Sequence, residues 1–485
     1  MYRKAPAWTS PLSRRRLLSW GFAGAAATAL VACSSSAPSA GNPPAAANPT
    51  TAPATAPTSA PAPTTAPAPT TAAKATTQPT SGQSVSLTFF YPVGVAGPLS
   101  KIIDGMTKTF NDKSSNIKVT PVYSGDYLQT LSKAQTAVQG GKPPDVAVLN
   151  AAAIFAMLDM KAALPLDEMA KSAGGSKFVD DFFPAFLQDS RAGGSLISVP
   201  FQRSTLVFYY NPDLLKSTGL GDSAPQTWDD VVKAAEKLTV RQGDTVSRWG
   251  VGFPSSGSSY WEFQALAIEA GQNVMGDVGN KVYFNSDAAV TGLQWLIDLS
   301  HKAKVMPSGT VDWGNLPTDF AGQKTAMIYH STGSLSFISK QAKFQVGVAF
   351  DPKQKQFGSP TGGGNMYIFN GIPKANQDAA WAFISYMCSP ESLAQWSIDT
   401  GYVAPRKSCY DVPVLKDYVA KFPQAIVARD QLQYAQRELG THQMAQIQNI
   451  LSNGIQAALT GKQSPKDALD AAQKQADQVL ASFKD

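Results

Sequence analysis

Polar and apolar residues alternate along several short runs of the chain, and between these runs the apolar residues recur at helical spacing. The alternation in residues 84–91 and 117–123 has a period of two, which is typical of β-strands. Between them, Leu99 and Phe110 belong to an apolar face that predicts an amphipathic helix. The short apolar run at residues 145–150 predicts a buried strand. This β-α-β order favours a mostly parallel sheet flanked by helices.

The same alternation returns further along the chain. Residues 197–201 alternate and residues 206–210 are rich in β-branched and aromatic types, so two strands are predicted on either side of residues 202–205. Thr227 follows a turn and predicts a helix start, because its hydroxyl oxygen can accept a backbone hydrogen bond. The glycine-rich residues 360–364 predict a flexible turn. Other strands are predicted at residues 249–253, 344–350 and 366–369.

Length and charge narrow the class of protein. A chain of 485 residues exceeds what one hydrophobic core usually serves, so two lobes are expected. The formal net charge is +6, but residues 1–32 hold five Lys and Arg residues and no acid. The remaining chain has 41 − 5 = 36 basic against 35 acidic residues, a net charge of +1. Because no basic run remains there, nucleic acid is not expected as a partner.

The first 83 residues predict export and attachment to a membrane. Residues 13–18 (SRRRLL) have the form of a twin-arginine export signal, and an uncharged segment rich in Ala, Gly and Leu follows. Residues 30–33 (LVAC) resemble the lipobox of bacterial lipoproteins, which implies lipidation of Cys33; a free cysteine in an uncleaved anchor helix is the alternative. Residues 34–83 consist almost wholly of Ser, Ala, Pro, Thr and Gly and predict a disordered tether. The body is thus expected in the cell envelope, periplasmic or extracellular, at the outer face of the cell membrane.

Catalytic and metal-binding motifs are weak throughout the sequence. His301, His330 and His442 form neither an HExxH motif nor a pair at ligand spacing, so no metal site is predicted. No pair of carboxylates stands out as acid and base, and phosphate-loop patterns are incomplete. We therefore predict that the protein is not an enzyme and uses no cofactor. Cys388 and Cys409 are compatible with a disulfide, but their spacing leaves the pairing open.

Several motifs between residues 85 and 485 resemble the extracellular solute-binding proteins of ABC importers, a family that includes maltose-binding and glycerol-3-phosphate-binding proteins. Residues 200–211 (PFQRSTLVFYYN) resemble the family's strand that crosses between the lobes. Residues 125–132 (GDYLQTLS), 331–335 (STGSL) and 400–402 (TGY) resemble motifs of its glycerol-3-phosphate-binding branch. The resemblance implies the two-lobed α/β fold of periplasmic binding proteins, with a mostly parallel sheet flanked by helices in each lobe and several hinge strands.

The resemblance also implies where the parts of the chain begin and end. Hinge segments are expected near residues 199–204, 350–362 and 398–405, where irregular backbone can absorb a change in dihedral angles. The predicted parts are a signal peptide at residues 1–32, a lipidated cysteine and linker at 33–83, an amino-terminal lobe at 84–202 with 358–398, and a carboxy-terminal lobe at 203–357 with 399–485.

A ligand site in the cleft between the lobes is the main functional implication of the resemblance. Aromatic faces would cover the C–H surfaces of a sugar or glycerol, and polar groups would fix its hydroxyls. Arg437, Ser331 and the backbone of Gly363 would suit a phosphate. Asn150 stands where the branch has a glutamate, so a neutral sugar or a glycerophosphodiester is an alternative to sn-glycerol 3-phosphate. The predicted ligand-binding residues are Tyr127, Asn150, Arg203, Ser204, Trp261, Ser331, Thr332, Gly363, Gly364, Tyr402 and Arg437.

The implied mechanism is that of a monomer whose lobes close around one sugar or glycerol-phosphate solute. The closed form would then deliver the solute to the transmembrane subunits of an ABC permease. Two other functions fit an exported chain of this composition. A secreted glycan-active hydrolase would present two carboxylates in the cleft, and an adhesion lipoprotein would use the long tether without any cleft.

Overall fold

The computed structural model describes residues 84–483. The strands of this part of the chain are β1 (Val85–Tyr91), β2 (Ile117–Tyr123), β3 (Val146–Asn150), β4 (Arg191–Ala192), β5 (Ser195–Leu196), β6 (Val199–Tyr210), β7 (Val240–Gln242), β8 (Thr245–Arg248), β9 (Met327–Ser331), β10 (Gly347–Ala349), β11 (Ser359–Ile368) and β12 (Ala435–Gln436).

Helices of very different length separate these strands. They are α1 (Leu99–Lys113), α2 (Tyr127–Gln139), α3 (Ile154–Asp159), α4 (Asp167–Ser172), α5 (Ser176–Asp180), α6 (Pro184–Leu187), α7 (Pro212–Ser217), α8 (Trp228–Leu238), α9 (Ser259–Glu269), α10 (Asp287–Ile297), α11 (Leu316–Ala321), α12 (Leu335–Gln341), α13 (Lys374–Met387), α14 (Pro390–Thr400), α15 (Pro413–Lys421), α16 (Val427–Gln431), α17 (Met444–Leu459) and α18 (Pro465–Leu480).

Side-chain caps fix where several of these helices begin. The carboxylate of Asp126 accepts a hydrogen bond from the Gln129 N–H at 2.8 Å, and the Gln129 side chain accepts one from the Asp126 N–H at 3.0 Å. This reciprocal capping box makes Tyr127 the first residue of α2. Thr227 accepts a bond from the Asp230 N–H at 3.2 Å and caps α8, which confirms the predicted helix start.

One mixed sheet of eight strands runs through the structure. β1 pairs in parallel with β2 and β3, which confirms the predicted β-α-β opening. β11 is antiparallel to both β3 and β6, and β6 is antiparallel to β9 and β10. The parallel part is therefore smaller than the sequence predicts. The order of strands is β10-β6-β11-β3-β1-β2, with β12 beside β11 and β9 beside β6.

β6 is one continuous strand of 12 residues, so the prediction of two strands on either side of residues 202–205 is wrong. Its first half pairs with β11, with Thr205 opposite Thr361. Its second half pairs with β9, with Leu206 opposite Ser331. Because partner strands are available along the whole length, the backbone groups of the polar residues are satisfied within the sheet.

The glycine-rich residues predicted as a flexible turn lie inside β11 instead. Gly363 has a φ of +92°, and the pairing register shifts between Gly364 and Asn365. A Cβ atom at Gly363 would lie 1.6 Å from the carbonyl oxygen of Gln202. The glycines therefore allow a β-bulge at which β11 and β6 approach closely.

Two other predicted strands are shorter than expected. Residues 249–253 contribute isolated parallel bridges, Trp249 to Thr325 and Gly252 to Ile328, rather than a strand. Of residues 344–350, the three in β10 pair with β6. Residues 249–252 still form backbone hydrogen bonds with Val305 and with residues 324–329, but these bonds do not continue as a regular ladder, and local alternation does not reveal this.

Two large hydrophobic cores lie along the sheet, and a smaller group packs beside the second. β6 passes from one to the other, since Phe201 belongs to the first core and Phe208 to the second. The first core includes Leu87, Phe89, Val148, Phe383 and Trp396, and the second includes Trp228, Phe263, Leu296, Ile447 and Leu469. Cys409 and Leu415 pack in the first core, although residues 399–485 are assigned by sequence to the second lobe; the lobe boundaries stay a prediction.

Cys388 and Cys409 are both buried and unpaired. The sulfur of Cys388 lies 3.8 Å from the Met366 sulfur, inside the first core. Among residues 84–483, no helix combines the length and the apolar character needed to cross a membrane. The segments predicted to direct export and lipidation, residues 1–33, lie outside the described residues, as does the tether at 34–83.

Removal of one ring from the first core should destabilise the protein strongly. Phe383 is fully buried, and its ring meets those of Phe89 and Phe110, each at 5.1 Å between centroids. We expect Phe383→Ala to lower the free energy of unfolding by about 3–5 kcal/mol, because it removes buried area and leaves a cavity. Urea unfolding followed by tryptophan fluorescence measures the change. Leu220→Ala, at a residue 40% exposed, should change it by less than about 0.5 kcal/mol; equal losses would contradict this packing.

Candidate functional site

A cavity of about 210 Å³ lies where the two cores meet. Side chains of both cores and both long strands reach it. Tyr402 and Met444 belong to the first core, and Tyr260 and Trp261 belong to the second. The lining residues are Gly94, Val95, Asp126, Tyr127, Leu128, Asn150, Ser204, Gly257, Ser258, Tyr260, Trp261, Trp313, Ser331, Gly363, Tyr402, Glu438, Met444, Gln448, Asn449 and Ser452.

The structure brings most of the predicted ligand-binding residues together around this cavity. They come from seven separate parts of the chain, which meet because β3, β6, β9 and β11 lie in one sheet. Asn150 and Ser331 are the last residues of their strands, and the cavity lies beyond these ends. The predicted residues in the lining are Tyr127, Asn150, Ser204, Trp261, Ser331, Gly363 and Tyr402.

Four predicted residues do not line the cavity. Thr332 donates a hydrogen bond from its hydroxyl to the Gly401 carbonyl at 3.1 Å. Gly364 lies behind the Tyr127 ring, where a Cβ atom would approach the ring to 3.0 Å. Arg203 and Arg437 both extend toward Asp189, away from the cavity. Their part in ligand contact stays a prediction that this geometry does not favour.

Close packing fixes the aromatic side chains of the cavity. Trp261 donates its ring N–H to the Thr361 carbonyl at 3.0 Å, and a Cβ atom at Gly362 would lie 2.4 Å from the indole. Tyr127 donates its hydroxyl to Gln202 Oε1 at 3.1 Å. Tyr402 packs on Trp396, with ring centroids 5.5 Å apart. These rings form a preformed surface that can cover the C–H faces of a solute.

Protonated phenols and an uncharged imidazole surround the aromatic surface. Burial raises the pKa of Tyr402 to about 12, so its hydroxyl remains a donor at neutral pH. Burial also lowers the pKa of His330 to about 4, which keeps this imidazole neutral. His330 Nε2 lies 3.0 Å from the Trp313 carbonyl oxygen, and Trp313 donates its ring N–H to the Glu262 carboxyl. His330 therefore supports Trp313 and adds no positive charge to the cavity.

Glu438 is the most informative lining residue that the sequence analysis does not predict. Its side chain is buried, and its Oε1 accepts hydrogen bonds from the Tyr260 hydroxyl at 2.8 Å and from Asn150 Nδ2 at 3.1 Å. Oε2 has no hydrogen-bond partner among the described residues. The side chain of Gln264 fixes the backbone on both sides of Glu438, because it donates a hydrogen bond to the Arg437 carbonyl and accepts one from the Leu439 N–H.

Burial raises the pKa of Glu438 to about 8. The hydrogen bonds from Tyr260 and Asn150 and the charge of Arg203 act in the opposite direction, and the charge of Asp189 adds to the increase. The carboxyl is thus largely protonated at neutral pH while the cavity holds no solute. The ionisation of this carboxyl therefore depends on the hydrogen-bonding groups and the charge of the solute that occupies the cavity.

A salt-bridge network closes the wall behind Glu438. Asp189 lies between two guanidinium groups: its Oδ1 accepts from Arg437 Nε at 2.9 Å, and its Oδ2 lies 3.6 Å from Arg203 Nη2. Arg203 also donates to Asn365 Oδ1 at 2.8 Å, and Arg437 donates to the Asp277 carbonyl at 3.0 Å. Both arginines therefore have structural partners. Within residues 84–483, no group of three or more His, Cys, Asp and Glu side chains is arranged to hold a metal ion.

A two-lobed α/β fold with an aromatic and polar cavity at the junction of its cores is typical of a solute-binding protein. The family described as bacterial extracellular solute-binding proteins matches residues 105–424. The chain belongs to this family.

Curated relatives of the chain include glycerol-3-phosphate-binding proteins. The sn-glycerol-3-phosphate-binding periplasmic protein UgpB of Escherichia coli strain K12 is 28% identical over 403 residues, covering 80% of this chain and 91% of the relative. The protein of the same name from Shigella dysenteriae serotype 1 has the same identity and coverage. The likeness spans nearly all of the described residues.

Solved structures share the fold. UgpB from Mycobacterium tuberculosis in complex with glycerophosphocholine superposes with a TM-score of 0.73 at 24% identity, covering 82% of this chain and 99% of that one. The maltose/maltodextrin-binding domain MalE from Bdellovibrio bacteriovorus bound to maltotriose gives 0.71 at 18% identity, with 82% and 100% coverage. At these identities the structures establish the two-lobed architecture of periplasmic binding proteins. The solute of this chain has to be inferred from the residues that line its own cavity.

The raised pKa of Glu438 predicts a pH-dependent stability. Between the ordinary pKa of 4.5 and about 8, the folded protein binds a proton that the unfolded chain has lost, so the free energy of unfolding falls as pH rises through this window. We expect Glu438→Gln, which cannot ionise, to reduce this fall. Melting temperatures of both proteins at pH 5 and pH 8 measure it. The difference between the two slopes isolates Glu438 from other buried acids; parallel slopes would contradict the assignment.

Proposed function

We propose that this protein captures one small solute of the sugar or glycerol-phosphate class in its cavity and delivers it to the permease of an ABC importer. The observation that carries the proposal is the cavity lined by residues of both cores. Membership of the solute-binding family and the names of the glycerol-3-phosphate-binding relatives support it. No catalytic step forms part of the proposal.

The composition of the lining suits a polyhydroxy compound. Tyr260, Trp261 and Trp313 offer flat apolar faces to C–H surfaces, which sugars and glycerol derivatives present in abundance. Amide and hydroxyl groups at Asn150 and Ser331 can exchange hydrogen bonds with solute hydroxyls. A few fixed polar groups among apolar walls orient a ligand and provide its specificity.

Capture requires that the two lobes move relative to each other. A solute that touches both sides of the cavity binds the closed form better, so it shifts the population toward closure by its difference in affinity for the two forms. The predicted hinges at residues 199–204 and 350–362 include the start of β6 and the approach to β11, where the chain passes between the cores. Closure is then the state that a permease recognises.

We also propose that the protein is exported and anchored to the membrane through a lipid on Cys33. The twin-arginine pattern, the LVAC sequence and the Pro/Ala/Thr-rich tether of residues 34–83 support this reading. A tether of 50 residues in extended polyproline conformation reaches about 150 Å at about 3.1 Å per residue. The binding domain, expected to be a monomer, could then meet a permease in the same membrane.

A solute of the proposed class should bind at the aromatic surface. In calorimetry against maltose, trehalose, sn-glycerol 3-phosphate and glycerophosphocholine, we expect at least one compound to bind. At 100 times its Kd it should stabilise the protein by about 2.7 kcal/mol and reduce the radius of gyration. Trp261→Ala should weaken binding by about 10- to 100-fold, because it removes a stacking face.

Trp249→Ala provides the matched control, since Trp249 is half-buried near Arg241 and does not line the cavity. Binding should survive this substitution. Equal losses in the two variants would contradict the site, and release of products from glycans would favour the alternative of a hydrolase.

Substitution of the lipidated cysteine should release the protein from the membrane. We expect Cys33→Ala to move the chain from the membrane fraction to the soluble fraction of the cell envelope, because a lipid chain gains about 0.8 kcal/mol per buried CH₂ group. Fractionation with metabolic labelling by a fatty-acid analogue measures both effects. Cys409→Ala is the control and should keep the label; unchanged labelling of Cys33→Ala would contradict the anchor.

A further inference from the structure

The cavity lining contains carboxyl groups but no basic side chain among the described residues. Asp126 and Glu438 are lining residues, and none of the described residues in the lining is Lys, Arg or His. Asp126 lies at the exposed end of α2, where its carboxylate caps the helix. Glu438 is only 2% exposed and lies at the inner end. The inner cavity thus presents a carboxyl group.

The two nearby arginines have other partners. Arg437 is bound to Asp189 and to the Asp277 carbonyl, and its guanidinium lies 5.7 Å from the centre of the Phe155 ring. Arg203 is fully buried, donates to Asn365 and lies 4.8 Å from the Phe186 ring centre. To bind a phosphate in the cavity, Arg437 would have to leave these partners. Arg203 has no hydrogen-bond partner at Nε and Nη2, but it is fully buried and does not line the cavity. Recognition of phosphate in proteins ordinarily relies on charge-assisted donors that reach the anion directly.

In its carboxylate form, Glu438 has acceptor capacity to spare. Tyr260 and Asn150 both donate to Oε1, while Oε2 is buried without a partner among the described residues. An unpaired buried acceptor costs free energy, which a donor group of a solute can recover. Hydroxyl groups, which sugars and polyols carry in number, can donate to this oxygen, whereas a phosphate group placed at this end offers acceptor oxygens and negative charge.

We propose that Glu438 determines the specificity of the cavity: its carboxyl accepts a hydrogen bond from a hydroxyl of an uncharged sugar or polyol and disfavours a phosphate ester. The proposal rests on the proposed function and narrows its class of solute. Asn150 and Tyr260 are positioning residues in this assignment, because their bonds to Oε1 hold the carboxyl in place.

The proposal has a signature in pH. A hydroxyl donor favours the carboxylate form of Glu438, so a neutral solute should release a proton on binding and bind more tightly as pH rises from 6 to 9. A phosphate ester would favour the protonated form and bind more weakly over the same range. The other groups that influence this carboxyl are Tyr127, Asp189, Arg203, Tyr260 and Glu262.

Calorimetry on the full chain tests the proposal with defined probes: maltose, trehalose, glucose and glycerol as neutral solutes, and sn-glycerol 3-phosphate, glycerophosphocholine and inorganic phosphate as anionic groups. We expect a neutral solute to bind more tightly than every phosphate compound. Titrations at pH 8 in two buffers of different ionisation enthalpy should show proton release. This readout needs no variant.

Glu438→Gln should weaken binding of the neutral solute by about 10- to 100-fold, as expected for a lost bond to a charged acceptor, and abolish the proton release. Glu269→Gln is the matched control: Glu269 is a fully buried acid at the end of α9, where it accepts a hydrogen bond from Trp228 of α8, and it lies outside the lining. Its affinity and proton release should equal those of the wild type.

The outcomes separate this proposal from the proposed function. Tighter binding of a phosphate compound, or unchanged affinity and proton release in Glu438→Gln, overturns the role of Glu438 while solute capture stands. Failure of every compound to bind overturns solute capture of the proposed class, and this inference with it.

Discussion

The site depends on three consecutive glycines in β11, where four parts of the chain approach more closely than side chains would allow. A Cβ atom at Gly362 would meet the Trp261 ring at 2.4 Å, and one at Gly363 would meet the Gln202 carbonyl at 1.6 Å. At Gly364 it would meet the backbone of β3 at 2.8 Å. Because glycine occupies these positions, β6 and β11 stay paired while two aromatic rings reach the junction of the cores.

Buried ionisable groups at the same junction have two different roles: some pair with each other inside the wall, and Glu438 faces the cavity. Asp189 is bonded to Arg437 and lies beside Arg203, with its Oδ2 3.6 Å from Nη2, so these opposite charges are paired within the wall. Glu438 is next in sequence to Arg437 but faces the cavity, with one oxygen bonded and the other available. The wall of paired charges thus lies beside one carboxyl that can gain or lose a proton. The affinity of such a site for a solute depends on the charge of that solute.

Local pattern predicts much of this architecture. The strands β1 to β3 and the caps of α2 and α8 follow from periodicity and from short-range hydrogen bonds, which depend on residues close in sequence. The motifs that resemble the solute-binding family predict Tyr127, Trp261 and Tyr402, and all three line the cavity. The local pattern does not predict that β6 and β11 are continuous strands. Polar residues and glycines are typical of turns, and only the partner strands, which are distant in sequence, keep these segments extended.

The sequence by itself determined the family, the α/β class and the aromatic character of the site, since these depend on the order of residue types along short segments. Only the tertiary structure decided that Glu438 faces the cavity while Arg437 is held by Asp189. Neighbouring residues in an extended segment point in opposite directions, and which side is the cavity depends on how distant strands pair. Whether Arg437 or Glu438 faces the cavity determines the charge of the site.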